Sequence, residues 1–165
     1  LLLFVDFEAS SLSKQSYPIE VGWVWEDGRE EGHLIRPAPG WVEWDDSAQA
    51  IHGISRGLLA RDGEPHDRVC DRVIAAFEGN DVYASAPSWD GHWLSMLLRA
   101  AGQPRHLLRL RSSEEAFMAK ARQDGASETL ATARVAAARA LVGQAPAAHR
   151  AIADARREWE TWRAV

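Results

Sequence analysis

LLLFVDFEAS, residues 1–10, decides how the rest of the chain is read: five apolar residues run straight into Asp6, Phe7 and Glu8. Such a run predicts a buried strand in the middle of a sheet, where an ionised carboxylate is costly unless something neutralises it. Side chains alternate along a strand, so Asp6 and Glu8 leave the same face about 7 Å apart. Taken alone, the pair has two readings: ion pairs with arginines at a strand end, or joint ligands for a cation.

Working outward, YPIEVGWVWE (17–26) alternates with β-branched and aromatic residues and predicts a second strand. A tight turn at EDG joins it to REEGHLIRP (29–37), so the first three strands form an antiparallel meander. DDSAQAIHG (45–53) predicts a short helix capped by Asp45 or Asp46 and closed by Gly53. Val69, Val73, Ile74 and Phe77 recur at helical spacing, DVYASA (81–86) is a strand, and Trp93, Leu94, Leu97 and Leu98 share a helix face. HLLRL (106–110) is read as a fifth strand, and the remainder is helical with a break at QAP (144–146). The fold class is therefore α/β, with a mixed five-stranded sheet flanked by helices.

With 165 residues, 46% of them hydrophobic, the chain is read as one domain over 1–165. Its single cysteine, Cys70, forms no internal disulfide, and LLLFV is too short for a signal peptide or a membrane span. A soluble, cytoplasmic protein with no membrane partner is expected, although numbering opens on Leu1 without an initiator Met, so upstream residues are allowed for. The net charge of −5 argues against a simple basic groove for nucleic acid. That average hides an asymmetry, −10 over residues 1–98 against +5 over 99–165. Seventeen of the nineteen basic residues are arginines, which suit bidentate phosphate contacts, although a GC-rich coding bias explains the same excess.

Two more segments bear on the acidic pair. Asp90, in SAPSWDGHWL, sits where a loop becomes a helix and is either a helix cap or a third ligand. In HRAIADAR, His149 and Asp154 are five residues apart, which on one helix means about 140° of rotation. His149 is therefore placed in the loop after Pro146, with Asp154 inside the helix. Four carboxylates and one histidine suit hard, oxygen-preferring cations, Mg²⁺ or Mn²⁺, rather than zinc. Two such ions about 4 Å apart clamp an in-line phosphoryl displacement, and a histidine can take the proton from the attacking water.

The set DFE, WD and HRAIAD, with YPIEVGWV and IHGIS, resembles the DEDD superfamily of 3′-to-5′ exonucleases in its histidine-bearing branch, DEDDh, which includes proofreading subunits, ribonuclease T and oligoribonuclease. The resemblance implies a ribonuclease-H-like fold and two divalent cations held by Asp6, Glu8, Asp90 and Asp154, with Asp90 acting through water. It implies His149 as general base, and release of nucleoside 5′-monophosphates from the free 3′ end of single-stranded or short DNA or RNA. Phe7, Ala9, Ser10, Ile51, His52 and Trp89 are the expected substrate contacts, Ala9 and Ser10 through their backbone, Ile51 and His52 at the terminal nucleotide, and Trp89 or Trp93 stacking a base. Arg105, Arg109 and Arg111 are candidates for guiding phosphates. The chain departs from many relatives in carrying Ala9, Ser10 and Ser11 after the acidic pair, and Trp89 and Trp93 around Asp90. The resemblance leaves room for a homodimer, since some members of the branch pair. The alternative is a catalytically silent module of the same fold. A glycosidase using Asp6 and Glu8 fits poorly, since its carboxylates must flank a sugar bond across a cleft.

Overall fold

The computed structural model describes residues 1–146 and 148–165. Strands β1 (Leu2–Ala9), β2 (Pro18–Trp25) and β3 (Glu30–Arg36) form the expected antiparallel meander. Helices α1 (Asp46–His52) and α2 (Arg56–Asp62), the two-residue strand β4 (Glu64–Pro65) and helix α3 (His66–Phe77) lead to β5 (Asp81–Ala84). After α4 (Pro87–Ala100) and β6 (Arg111–Ser112), the chain ends in α5 (Ser113–Ala121), α6 (Glu128–Val142) and α7 (Ala151–Ala164). The sheet order is β4-β3-β2-β1-β5-β6, with β5 parallel to β1. No helix among the described residues is long and apolar enough to cross a membrane.

Two expectations are corrected. The sheet has six strands rather than five, because β4 and β6 add two-residue edges. Residues 106–110 are not a strand: Leu108 and Leu110 pack against the core from the sheet's flank, and pairing begins only at Arg111, opposite Tyr83. Helix α2 was not anticipated, since RGLLARD offers little periodicity; the Ser55 hydroxyl caps it by accepting from Leu58 N at 3.1 Å.

Alternation on β1 sorts the two layers. Leu3, Val5 and Phe7 join the core made with α3 and α4, including Val73, Phe77, Leu94 and Leu97. Phe4 points the other way, into a core with Phe117, Ala131 and Val135 from α5 and α6. Asp6 and Glu8 share the Phe4 side, and there α7 lies across β1 and β2. Glycines permit that approach. A Cβ on Gly22 would sit 2.5 Å from Ile152 N, and one on Gly32 would sit 2.5 Å from Ile152 Cδ1, so side chains at either position would hold α7 off the sheet. Gly22 is the cross-strand partner of Asp6, and close packing there brings the start of α7 over the acidic pair.

Candidate metal centre

Asp6 and Glu8 stand near the C-terminal end of β1, where the ladder to β2 is irregular between Glu8 and Ala9 and pairing with β5 has already ended at Phe4. Asp154 comes from the first turn of α7. One carboxylate oxygen from each of the three lies within 4.8 Å of the others, and all three residues are partly buried. Among the described residues no Arg, Lys or His forms an ion pair with any of them; the nearby Arg150 is taken by Glu20. The electrostatics follow. Burial raises Asp6 well above the usual carboxylate range, and the charges of Asp90, Glu8, Asp154 and Glu158 push the same way. Glu8 is pushed up to about 8, first by burial, then by Asp154 and Glu20, with Arg150 opposing.

Asp90 does not cap its helix: α4 begins three residues earlier, and its N-cap position is Ala86. It is 2% exposed, and its Oδ1 accepts from Phe7 N at 3.2 Å, the peptide N–H between Asp6 and Glu8. Burial pushes Asp90 up to about 7, against the hydrogen bonds from the Phe7 and Ala86 N–H groups. It therefore stands outside the three convergent oxygens, with its charge still felt by Asp6 and Glu8.

Sequence reasoning missed two acids. Glu158, one turn beyond Asp154 on α7, is raised chiefly by burial, and its charge acts on both Asp6 and Asp90. Its i,i+4 spacing from Asp154 was a readable signal. Glu20, opposite Glu8 across the β1–β2 ladder, accepts from Arg150 Nε and Nη2 at 3.0 and 2.6 Å and from Ala151 N at 2.8 Å. Helix α7 has no side-chain cap of its own, and Glu20 supplies that function from the sheet. The alternation of YPIEVGWV puts Glu20 and Gly22 on the face that α7 covers, a signal visible in the sequence only once that helix is known to cross.

His149 precedes this junction in a left-handed backbone conformation, φ +50, the one non-glycine positive φ among the described residues. Such a conformation costs about 1 kcal/mol or more and is kept where surroundings impose it. The exposed His149 borders a cleft of about 260 Å³ that also holds Glu8, Phe7, Ala9, Ile51, His52 and Trp93. His52 is buried, its Nδ1 accepts from Ile54 N at 3.0 Å, and burial lowers its pKa. Ser10 donates its hydroxyl to Glu43 at 2.8 Å, and Ser11 and Leu12 line the cleft beside Ala9. Trp89 lies beside the cleft, stacked on Trp93 with ring centroids 5.7 Å apart. Of the three arginines suggested for phosphates, Arg111 is held by Asp81 and Glu115, and Arg109 lines a hollow with Glu78 and Asp81 at the start of β5.

No family model matches the chain, and no curated protein matches it. Solved structures do. The zinc-bound complex of E. coli exonuclease I with single-stranded DNA aligns at 16% identity and a TM-score of 0.68, covering 96% of this chain and 38% of that one. The E. coli enzyme with a dT13 oligonucleotide gives 16%, 0.68, 96% and 39%, and the moderately thermophilic exonuclease I from Methylocaldum szegediense gives 18%, 0.68, 98% and 40%. The chain spans about two-fifths of the length of these proteins. At such identities the likeness is one of architecture: the chain has the ribonuclease-H-like α/β fold that exonuclease I also has.

Proposed function

We propose that residues 1–165 form a metal-dependent 3′-to-5′ exonuclease domain of the DEDDh type, which removes nucleoside 5′-monophosphates from single-stranded or short nucleic acid. The observation that carries this reading is the meeting of Asp6, Glu8 and Asp154 oxygens within 4.8 Å in a half-buried place where, among the described residues, no side-chain cation forms an ion pair with them. Such a set fits divalent cations: oxygen-only donors, crowded enough to repel one another, with Asp6 and Glu8 raised in pKa first by burial and then by neighbouring carboxylates. Asp6, Glu8 and Asp154 would hold two Mg²⁺ or Mn²⁺ ions, with Asp90 acting through water. Bound there, the ions supply Lewis-acid stabilisation of the charge that builds on the phosphate during displacement.

The chain's own groups do the rest. Phe7, Ile51 and His52 hold the terminal nucleotide in the cleft, with the Trp93–Trp89 stack beside it. His149 takes the proton of the attacking water on a ring nitrogen. Its place beside Arg150, which Glu20 grips, fixes it at the cleft rim without burying it. Asp90 keeps the Phe7 peptide, and with it the two flanking carboxylates, in position. That the exonuclease I structures hold single-stranded DNA supports this as the first substrate to offer.

The test is incubation of 3′-labelled single-stranded DNA, RNA and dinucleotides with Mg²⁺, Mn²⁺ or chelator. Release of 5′-monophosphates with metal and none with chelator is expected, and His149→Ala should lose most turnover while still binding Mn²⁺. Binding of Mn²⁺ with no cleavage of any oligonucleotide would leave a silent module of the same fold.

A further inference from the structure

Most of this protein's arginines are occupied. Nine of the seventeen pair with a carboxylate among the described residues. Arg36 and Arg56 are different. They lie in the half of the chain that carries −10, they are in none of those ion pairs, and they line the same hollow of about 340 Å³. Arg56 is held loosely, 5.2 Å above the Trp44 ring and 3.4 Å from the Val42 carbonyl. The remaining wall is apolar: Tyr17, Trp41, Val42 and Ala60, with no acidic residue among the lining. The hollow beside Arg109, by contrast, contains Glu78 and Asp81.

We propose that this hollow is a second contact site for the nucleic-acid strand whose 3′ end occupies the cleft, taking phosphate on Arg36 and Arg56 and a sugar or base against the apolar wall. The inference rests on the exonuclease reading and names where the rest of the substrate runs. Three observations carry it. First, the chemistry is mixed in the way a nucleotide is mixed: two guanidinium groups suit phosphate, while Val42, 78% exposed, leaves an apolar surface that free phosphate would not cover. Second, the wall is rigid. Tyr17 and Trp41 stack with centroids 5.3 Å apart and planes 18° apart, and Tyr17 N donates to Ser10 Oγ.

Third, one chain segment ties the hollow to the cleft, although the two share no lining residue. The segment between β3 and α1 supplies Trp41 and Val42 to the hollow, is fastened by Glu43 to the Ser10 and Ser11 hydroxyls just past the metal-binding strand, and runs into the helix bearing Ile51 and His52. Trp44 joins the two sites, its ring edge-on to His52 at 6.0 Å and Arg56 over its face. Of the segment's two carboxylates, Glu43 is engaged by those two hydroxyls and Asp45 caps α1 by accepting from Ser47 N. An acidic protein that grips one strand end with cations would thus hold the following phosphates with two arginines it has not spent elsewhere.

The experiment compares wild type with Arg36→Ala/Arg56→Ala in two arms. In chelator, fluorescence anisotropy reads binding of a single-stranded 12-mer across a salt series. The double variant should bind at least tenfold more weakly, with a log Kd against log salt slope shallower by about 1.4, the loss of two phosphate contacts at about 0.7 each. With Mn²⁺, the ratio of turnover on the 12-mer to turnover on a dinucleotide should fall tenfold or more, and Arg36→Lys/Arg56→Lys should recover part of it. Wild-type affinity and salt slope in the double variant would overturn the inference. So would equal losses on both substrates, which would place the arginines at the cleft itself. Failure of wild type to cleave either substrate with Mn²⁺ would count against the exonuclease reading, while the chelator arm still reads the hollow.

Discussion

Glu8 and Glu20 are the same residue type, face each other across one strand pair, and live in opposite electrostatic conditions. Glu20 is gripped by the Arg150 guanidinium and by the first N–H of α7, which leaves it a satisfied anion that fastens helix to sheet. Glu8, one strand over, meets Asp6 and Asp154 and is pushed up to about 8, first by burial and then by the charges of Asp154 and Glu20. The contrast separates two uses of a buried acid. Paired, it fixes structure; crowded with its own kind, it stores a demand for positive charge that an ion can meet.

The sharpest way to break the contrast is to remove one member of the crowd. Asp154→Ala should abolish metal-dependent release, by about a thousandfold or more, yet leave the metal-free fold intact on thermal melting, because it relieves repulsion. Glu20→Ala attacks the other side. It should cost about 2 kcal/mol in denaturant unfolding, less than a fully buried pair because Arg150 is half-exposed, and slow turnover about ten- to a hundredfold by loosening the start of α7. If Glu20→Ala destabilised nothing, its role as the fastening acid would be wrong.

Titration gives a smaller and more diagnostic effect. Glu8 stands at about 8 in the fold against an ordinary 4.5, and Asp90 at about 7 against 3.8. The folded state thus keeps protons that the unfolded chain releases, so metal-free stability should fall as pH rises from about 4 to about 8. Mn²⁺ should flatten that fall, and its stabilising effect should grow with pH; a melting temperature that rose across the window without metal would contradict the burial of these acids. The mildest change is Glu158→Gln. Because burial opposes its charge, the change should raise metal-free stability at pH 8, read by thermal melting, and weaken Mn²⁺ binding a few-fold, measured by calorimetry.

What the sequence made legible was local. Strand alternation put Asp6 and Glu8 on one face, and the arithmetic of a helix turn separated His149 from Asp154, with α7 now seen to start at Ala151. The motif set around these residues pointed to the ribonuclease-H-like architecture. Illegible were facts of registration between distant segments. Asp90 reaches Phe7 N across 83 residues, and Arg150 reaches Glu20 across 130. Neither partner is marked by spacing or type. The same holds for residues 106–110, apolar enough for a strand but placed where the sheet offers no partner until Arg111.

The bare α-carbon at Gly22 has an evolutionary corollary. Because Ile152 N occupies the space a methyl would need, the gap between the acids of β1 and the acid of α7 is set by main-chain contact and cannot be restored by a change of rotamer. A descendant carrying alanine there would retain its hydrophobic interior and all its acidic letters yet keep Asp154 at arm's length.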